Sequence, residues 1–494
     1  MSPRRFPEGF LWGTATSAFQ VEMGRGEPSP HSDWYAWVHD EGNIASGRVS
    51  GDLPEDGPGS WELYGGDLRL ARDELGNNAI RLSLDWSRIF PRSTRAVEVD
   101  IDHDDHGNVS RVNVDEDSMR SLRAAADGGA VRRYRQILSE ARELGLTVML
   151  TLYHWPIPLW LHDPIACRDD VEAASLRGWL DQRTVIEFAK YAAFAADALG
   201  DLVDLYATIN EPRIVSEHGY LSERGEFPPG LNDPGLFLTS MRNLSIAHGV
   251  AYEQVKRWDR CSASDLGPAS VGVVVVLQYY EPEDPMDDLD AAASDFVEYL
   301  YNEWYLNSIL RGDYDMNLDG VIQPEEQWPH MVKGCDFIGV NYYSRWRVRY
   351  AEKGPDPRFN YDFAPCVGDC SDFGWEIYPP GLRHVLNWAY KGTRRPIYVT
   401  ENGVADAGDL MRERYLVDHL EQIHAAMEED GVPVGGYFHW SLIDNYEWSD
   451  GFRMRFGLFK VDMETKERRP TKAASPYREI AANNGLPERD RVEG

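Results

Sequence analysis

Glu211 and Glu401 are the residues of this chain with the clearest chemistry. They stand in Ala-Thr-Ile-Asn-Glu-Pro and Tyr-Val-Thr-Glu-Asn-Gly. Each follows a run of β-branched and aromatic residues and is closed off by Pro or Gly, so each is expected at the C-terminal end of a strand. Two carboxyl groups brought to one bond can serve as proton donor and nucleophile if their surroundings hold them in different protonation states. Arg81 is a charge inside an apolar run. A buried guanidinium needs a carboxylate, and holding Glu401 ionised is one use for it; a purely structural ion pair is the other. Asn341 and Tyr343 lie two apart and share a face, which would let the Tyr343 hydroxyl reach the nucleophile. Asn210 would offer an amide to a substrate hydroxyl. Gln20 and His154-Trp155 end two further runs, positions that are more often structural when taken singly.

Eight strand-like segments can carry these residues: Gly9 to Phe19, Ala79 to Trp86, Thr147 to Trp155, Leu205 to Asn210, Ser270 to Tyr279, Asp336 to Tyr343, Pro396 to Thr400 and Val434 to Ser441. Several are almost wholly apolar, as strands covered on both faces should be. Helical spacing lies between most of them, over Val131 to Leu144, Thr184 to Leu199 and Met411 to Met427. Strand then helix, eight times, predicts an α/β fold, a single (β/α)8 barrel over residues 1–494 with loop insertions. A doubly wound sheet is the alternative, but no Gly-x-Gly-x-x-Gly follows the first strand, and chemistry-bearing residues end nearly every strand. Such a barrel gathers strand ends at one mouth. Two carboxyl groups about 5–5.5 Å apart there would cleave a glycosidic bond with retention. Val97 to Asp127, around His106-Gly107, reads as an inserted loop or hairpin. Tyr350 to Asp372 reads as a second insertion, and the tail from Leu486 as frayed.

A net charge of −32 excludes a nucleic-acid partner, which needs clustered Lys and Arg. Only eight of the fifty basic residues are Lys, a pattern that fits a halophile's cytoplasm better than an acidic mesophilic protein. Five Cys argue against a disulfide scaffold and for a reducing compartment, and Cys366 and Cys370 have no second pair with which to bind zinc. The N-terminus lacks a signal peptide's apolar core, and no segment is long enough to span a membrane; a cytoplasmic protein is expected. The 16 Trp suit a pocket that stacks on sugar rings, although packing accounts for many of them.

These residues sit in segments that resemble glycoside hydrolase family 1, its archaeal β-glycosidase branch in particular. They are Phe-Pro-Glu-Gly-Phe-Leu-Trp-Gly-Thr-Ala-Thr-Ser-Ala-Phe-Gln (6–20), Leu-Asp-Trp-Ser-Arg-Ile-Phe-Pro (84–91), Tyr-His-Trp-Pro (153–156), Thr-Ile-Asn-Glu-Pro (208–212), Gly-Val-Asn-Tyr-Tyr (339–343), Tyr-Val-Thr-Glu-Asn-Gly (398–403) and His-Trp-Ser-Leu-Ile-Asp-Asn-Tyr-Glu-Trp (439–448). The resemblance implies a retaining, exo-acting β-glycosidase that removes terminal glucose, galactose or fucose from β-glycosides and short oligosaccharides, with transglycosylation left open. It makes Glu211 the acid/base and Glu401 the nucleophile, supported by Asn210, Tyr343 and Arg81. It makes Gln20, His154, Trp155, Trp375, Trp440, Glu447 and Trp448 substrate-binding residues. No cofactor is needed for catalysis, and a homo-oligomer is expected, a tetramer by analogy with the archaeal members. Glu447 argues against a 6-phospho-sugar, whose charge it would repel; Glu211 argues against the thioglucosidase branch.

One segment departs from that pattern. Asp315 to Glu326 fits a twelve-residue calcium loop, with ligands from Asp315, Asn317, Asp319, the Val321 carbonyl and Glu326, Gly320 at the turn, and a helix expected before it over Asp295 to Leu310. A structural Ca2+ that staples a loop is the expectation. Two other readings are weaker. A non-catalytic sugar-binding relative would usually lack one of the carboxylates, and a calcium-dependent structural module would need repeated loops.

Overall fold

The structure, a computed structural model, describes residues 4–26, 28–264, 267–353 and 356–487. Eight parallel strands close into a barrel: β1 (Leu11–Ala15), β2 (Ala79–Ser83), β3 (Thr147–Tyr153), β4 (Leu205–Asn210), β5 (Ser270–Val276), β6 (Ile338–Asn341), β7 (Ile397–Asn402) and β8 (Val434–Trp440). Each pairs with its neighbours in chain order, and β8 closes on β1. All eight coincide with the expected segments, and most are shorter. Asp85 ends the second: it caps a short helix, Trp86–Ile89, by accepting from the Ser87 and Arg88 amides. The first stops at Ala15, so Gln20 stands on a helical turn, Ala18–Val21, and not on a strand end.

Gly128–Glu143 and Gln182–Leu199 begin earlier than apolar spacing alone predicts, because a capping Asp starts each, whereas Arg412–Glu428 begins one residue later than expected. Asp127 caps Gly128–Glu143, Asp181 caps Gln182–Leu199, and Asp233 caps Pro234–Trp258. The barrel interior is filled from below by Phe337 and Phe438, both almost fully buried. Gly13 and Gly272 make room for them: a Cβ at Gly13 would lie 2.4 Å from the Phe438 ring, and one at Gly272 2.6 Å from that of Phe337.

The first insertion is the expected hairpin, Asp100–His103 against Val109–Asn113. It continues into a helix, Glu116–Ala125, that was expected as loop; Asp115 caps it through the Asp117 and Ser118 amides. The second insertion contributes a strand, Tyr361–Phe363, to a small sheet with Arg345–Tyr350 and Tyr279–Pro282. The first residue of the tail expected to fray is paired: Leu486, with Gly485 before it, pairs with Arg4 and Arg5. Its last residues lie outside the described ones. Cys366 and Cys370 form a disulfide across this second insertion, a local staple that a reading of reduced cysteines missed.

Candidate active site

Both glutamate-bearing strands are irregular just before the glutamate. On β7 one extra residue separates Val399 from Glu401 relative to β6, where Val340 pairs with Val399 and Asn341 with Glu401. β4 likewise carries one extra residue against β5 between Ala207 and Asn210. A bulge re-aims the side chain that follows it. Glu211 then takes a left-handed conformation, φ 50°, as the N-cap of Pro212–Tyr220. Trp155 (φ 86°) and Trp448 (φ 48°) share that region of backbone space and line the same cleft. Non-glycine residues held there cost about 1–3 kcal/mol each and cluster at functional sites.

Arg81 rises from β2 beneath the two glutamates, almost fully buried. Its Nη1 donates to Glu401 Oε1 at 2.5 Å and to the Thr400 carbonyl, its Nη2 to Asn210 Oδ1 at 2.7 Å, and its Nε to Thr151 Oγ1. The second oxygen of Glu401 accepts from the Tyr343 hydroxyl at 2.6 Å. Burial and the neighbouring carboxylates push Tyr343 well above the ordinary phenol range, so its proton stays available for that bond. Glu211 has a different company. Asn341 Nδ2 donates to its Oε1 at 2.6 Å, and Asn341 is itself oriented by Thr400, whose hydroxyl donates to Asn341 Oδ1 at 2.7 Å. Burial first, and the charge of Glu401 second, push the Glu211 carboxyl up to about 8; Asn341, Arg213 and Arg81 work against that shift. One glutamate thus meets a guanidinium and a phenol, the other a single neutral amide.

Because Asn210 Oδ1 is taken by Arg81, its amide nitrogen faces the other way, 3.2 Å from His154 Nε2. Burial and Arg81 hold His154 well below the usual imidazole range, so the ring is neutral, and its Nδ1 is buried without a partner among the described residues. The Gln20 amide donates to Glu447 Oε2 and Asn445 Oδ1, both at 3.1 Å. Desolvation, with Asp450, Glu401 and Glu211 close by, drives Glu447 well above the usual carboxylate range. The Trp440 and Trp448 rings each lie roughly parallel to His154, with centroids at 5.9 and 6.2 Å. Trp375 packs on Phe373 and reaches Tyr343 at 5.4 Å.

Gln20, His154, Trp155, Asn210, Glu211, Tyr343, Trp375, Glu401, Trp440, Glu447 and Trp448 all line one cleft of about 1310 Å³ at the C-terminal mouth of the barrel, and Arg81 lies under its floor. Sequence reasoning missed the buttresses Thr151 and Thr400, whose hydroxyls look like ordinary strand threonines. It also missed Arg213, although a cation in the first turn of a helix, against the dipole, was a readable oddity.

The calcium-loop residues are not brought together as expected. Asp315 is fully buried, and its carboxylate accepts from the Tyr299 hydroxyl at 2.5 Å and from the Gly320 and Asp319 amides. Asn317 accepts from the Asp319 amide and Asp319 from that of Val321. Glu326 accepts from the Met316 and Gln323 amides and closes a capping box over Pro324–Glu326. Among the described residues no three His, Cys, Asp or Glu are grouped to hold a metal ion. The loop folds on its own donors, and its carboxylates are turned to them.

Comparison with known proteins agrees with this geometry. The family model for glycosyl hydrolase family 1 matches residues 2–101 and 124–486, leaving out most of the first insertion. The chain is 40% identical to a β-galactosidase of Pyrococcus woesei, over 97% of this chain and 98% of that protein. Among solved structures it is similar to the β-glycosidase of Thermosphaera aggregans, with a TM-score of 0.89, 38% identity and 98% of both chains covered. It is similar too to a β-glucosidase mutant derived from a hyperthermophilic tetrameric structure, with a TM-score of 0.83, 40% identity and 98% and 97% covered. With two unlike glutamates at the mouth of a (β/α)8 barrel and a match along nearly its whole length, this chain belongs to glycosyl hydrolase family 1.

Proposed function

We propose that the protein is a retaining, exo-acting β-glycosidase that releases terminal β-linked glucose or galactose from glycosides and short oligosaccharides, with Glu211 as acid/base and Glu401 as nucleophile. The observation that carries this assignment is the unequal company of the two carboxyl groups. Glu401, fixed by Arg81 and Tyr343, attacks the anomeric carbon while Glu211 gives its proton to the departing glycosidic oxygen. A covalent glycosyl-enzyme results. Glu211, now a carboxylate, takes a proton from water, and the water displaces Glu401 from the sugar with the β configuration restored. No cofactor enters either step.

Gln20, His154, Asn210 and Glu447 offer the hydrogen bonds that a single sugar ring needs. Trp440 and Trp448 provide apolar faces for the same ring, and Trp155 packs beneath Trp448 at 4.4 Å. The names of the relatives support glucose and galactose. A homo-oligomer is proposed from the tetrameric origin of one of them. A cytoplasmic setting is proposed from the sequence; among the described residues no helix is long and apolar enough to cross a membrane, while the Cys366–Cys370 disulfide weighs against a strongly reducing one.

Replacing the nucleophile tests the assignment. Glu401→Gly should lower the rate on an aryl β-glucoside by at least about a thousandfold, with substrate binding kept. Added formate should partly restore turnover by standing in for the missing carboxylate. Wild-type rates in Glu401→Gly would falsify the mechanism.

A further inference from the structure

Behind the tryptophan side of the cleft, the turn that follows β3 is tied to the start of the helix Asp33–His39 by a buried ion pair, Asp33 with His162. We propose that Asp33 and His162 are positioning residues: together they clamp that turn so that Trp155 holds the Trp448 ring in place for the sugar. The inference rests on the β-glycosidase reading and adds to it two residues behind the cleft wall.

Trp155 is what needs holding. Its backbone takes φ 86°, a region that L side chains rarely adopt, and a residue stays there only where its surroundings over-determine it. Two residues further on, they do. The Asp33 amide donates to the Ile157 carbonyl at 2.9 Å, and the Ile157 amide donates back to Asp33 Oδ1 at 3.0 Å. The same Oδ1 accepts from the Trp34 amide at 2.8 Å. Outside this ring of bonds, the Leu159 amide donates to the His31 carbonyl at 2.8 Å. One carboxylate oxygen thus holds the backbone of two segments.

His162 holds the carboxylate. Its Nδ1 donates to Asp33 Oδ2 at 2.8 Å, and both side chains are buried. Burial works against a charged imidazole, but the bond to Asp33, with Cys167 adding to it, lifts the ring to about 9, so it is charged at neutral pH. Gly178, at φ 56°, leaves space for that ring: a Cβ there would lie 2.9 Å from it. Cys167 completes a Cys-His-Asp set, but a nucleophile needs access and Cys167 is fully buried. The set is a support.

Trp155 carries the clamp to the site. Its indole N–H donates to the Asn210 carbonyl at 3.1 Å, which fixes the ring against the end of β4. That ring packs on Trp448 at 4.4 Å, and Trp34, next to Asp33, meets Trp448 at 4.6 Å. Phe227 touches both supporting rings, at 5.1 and 4.7 Å. Trp448 offers its face to the sugar in the bound substrate and in the transition state alike. Loosening it therefore weakens uniform binding and raises KM. The glutamates keep their own partners, Arg81, Tyr343 and Asn341, so kcat is largely spared.

Steady-state rates on an aryl β-glucoside, with Tm measured alongside, test the clamp. Asp33→Ala should raise KM about tenfold and lower kcat by less than about threefold. Asp33→Asn, whose Oδ1 can still accept the Ile157 amide, should recover most of the loss. In a Trp448→Ala background, where the ring that the clamp supports is already gone, Asp33→Ala should change KM by less than about twofold. A lower Tm with KM unchanged, a fall in kcat alone, or a KM effect undiminished in the Trp448→Ala background overturns the proposal. If Asp33→Ala does not fold, His162→Gln decides by the same measurements, since it keeps a polar side chain but moves its amide away from Asp33: KM should rise, and an unchanged KM overturns the clamp. A wild-type enzyme that fails to cleave the aryl glucoside would instead overturn the β-glycosidase reading itself, so the two outcomes are distinct.

Discussion

At the scale of single residues, the site gives one residue type two unlike settings. Glu211 and Glu401 begin with the same chemistry and are separated by what touches them. Burial with a single amide donor favours the neutral form of Glu211, whereas a guanidinium and a phenol hold the two oxygens of Glu401. The sign for pH follows. In the acid role proposed for it Glu211 must carry a proton, and its folded value is raised to about 8, so kcat/KM should hold below that region and fall as pH rises through it. Arg213 is the residue with which to test this. Its guanidinium pairs with Glu217, lies over the Tyr301 ring at 4.2 Å, and pulls the Glu211 value downward. Arg213→Gln removes that pull and frees the Glu217 carboxylate, and both changes raise Glu211. The basic limb of the pH–kcat/KM profile on an aryl β-glucoside should therefore move to higher pH. An unmoved limb, or one displaced downward, contradicts the electrostatic sorting.

At the scale of elements, the strands deliver the glutamates and the irregularities aim them. β4 and β7 each contain one residue more than a neighbouring strand just before the glutamate, so strict alternation is broken where the chemistry is. Composition gives no sign of this. Thr400, opposite the step in register, reads as one more β-branched strand residue, and its bulge depends on what β6 and β8 pair with. The loop from Asp315 to Glu326 teaches the converse. Its residue spacing matches a calcium loop in full, yet the side chains of Asp315, Asp319 and Glu326 are each met by an N–H or O–H donor of the protein. Treatment with EDTA should accordingly leave Tm unchanged. A fall in Tm on chelation, reversed by added Ca2+, would show that the loop opens to a metal after all.

For the whole molecule, charge is the dominant feature. Surface pairs such as Arg123–Asp197 and Arg135–Asp201 are bidentate, with N–O distances of 2.7–2.9 Å, but exposed pairs contribute only about 0–1 kcal/mol each. Salt weakens them and also screens the mutual repulsion of a chain carrying −32. The Debye length shrinks from roughly 10 Å at 0.1 M to roughly 3 Å at 1 M, and with so large an imbalance the relief of repulsion should win. We therefore expect Tm to rise between low and molar KCl, in line with the halophilic reading of the composition. A Tm that is highest at low salt would discard it.

What the sequence by itself determined is what depends on short stretches of chain. Alternation, helical spacing, capping Asp and helix-starting Pro are local, so the eight strands, their order and the two strand-end glutamates could be read directly. The motifs around Gln20, His154, Glu447 and the tryptophans could be read too, through their likeness to a family. The tertiary structure decided what depends on residues far apart. Arg81 and Glu401 are 320 positions apart in sequence, and only barrel closure makes them an ion pair. The same closure chose Asn341 for Glu211 and set the bulges. The Cys366–Cys370 bridge and the self-satisfied Asp315 loop are local in sequence, yet they too were settled by the conformation the chain takes. In each, the partner that settles a side chain's role comes from the fold, and the residue's own type does not name it.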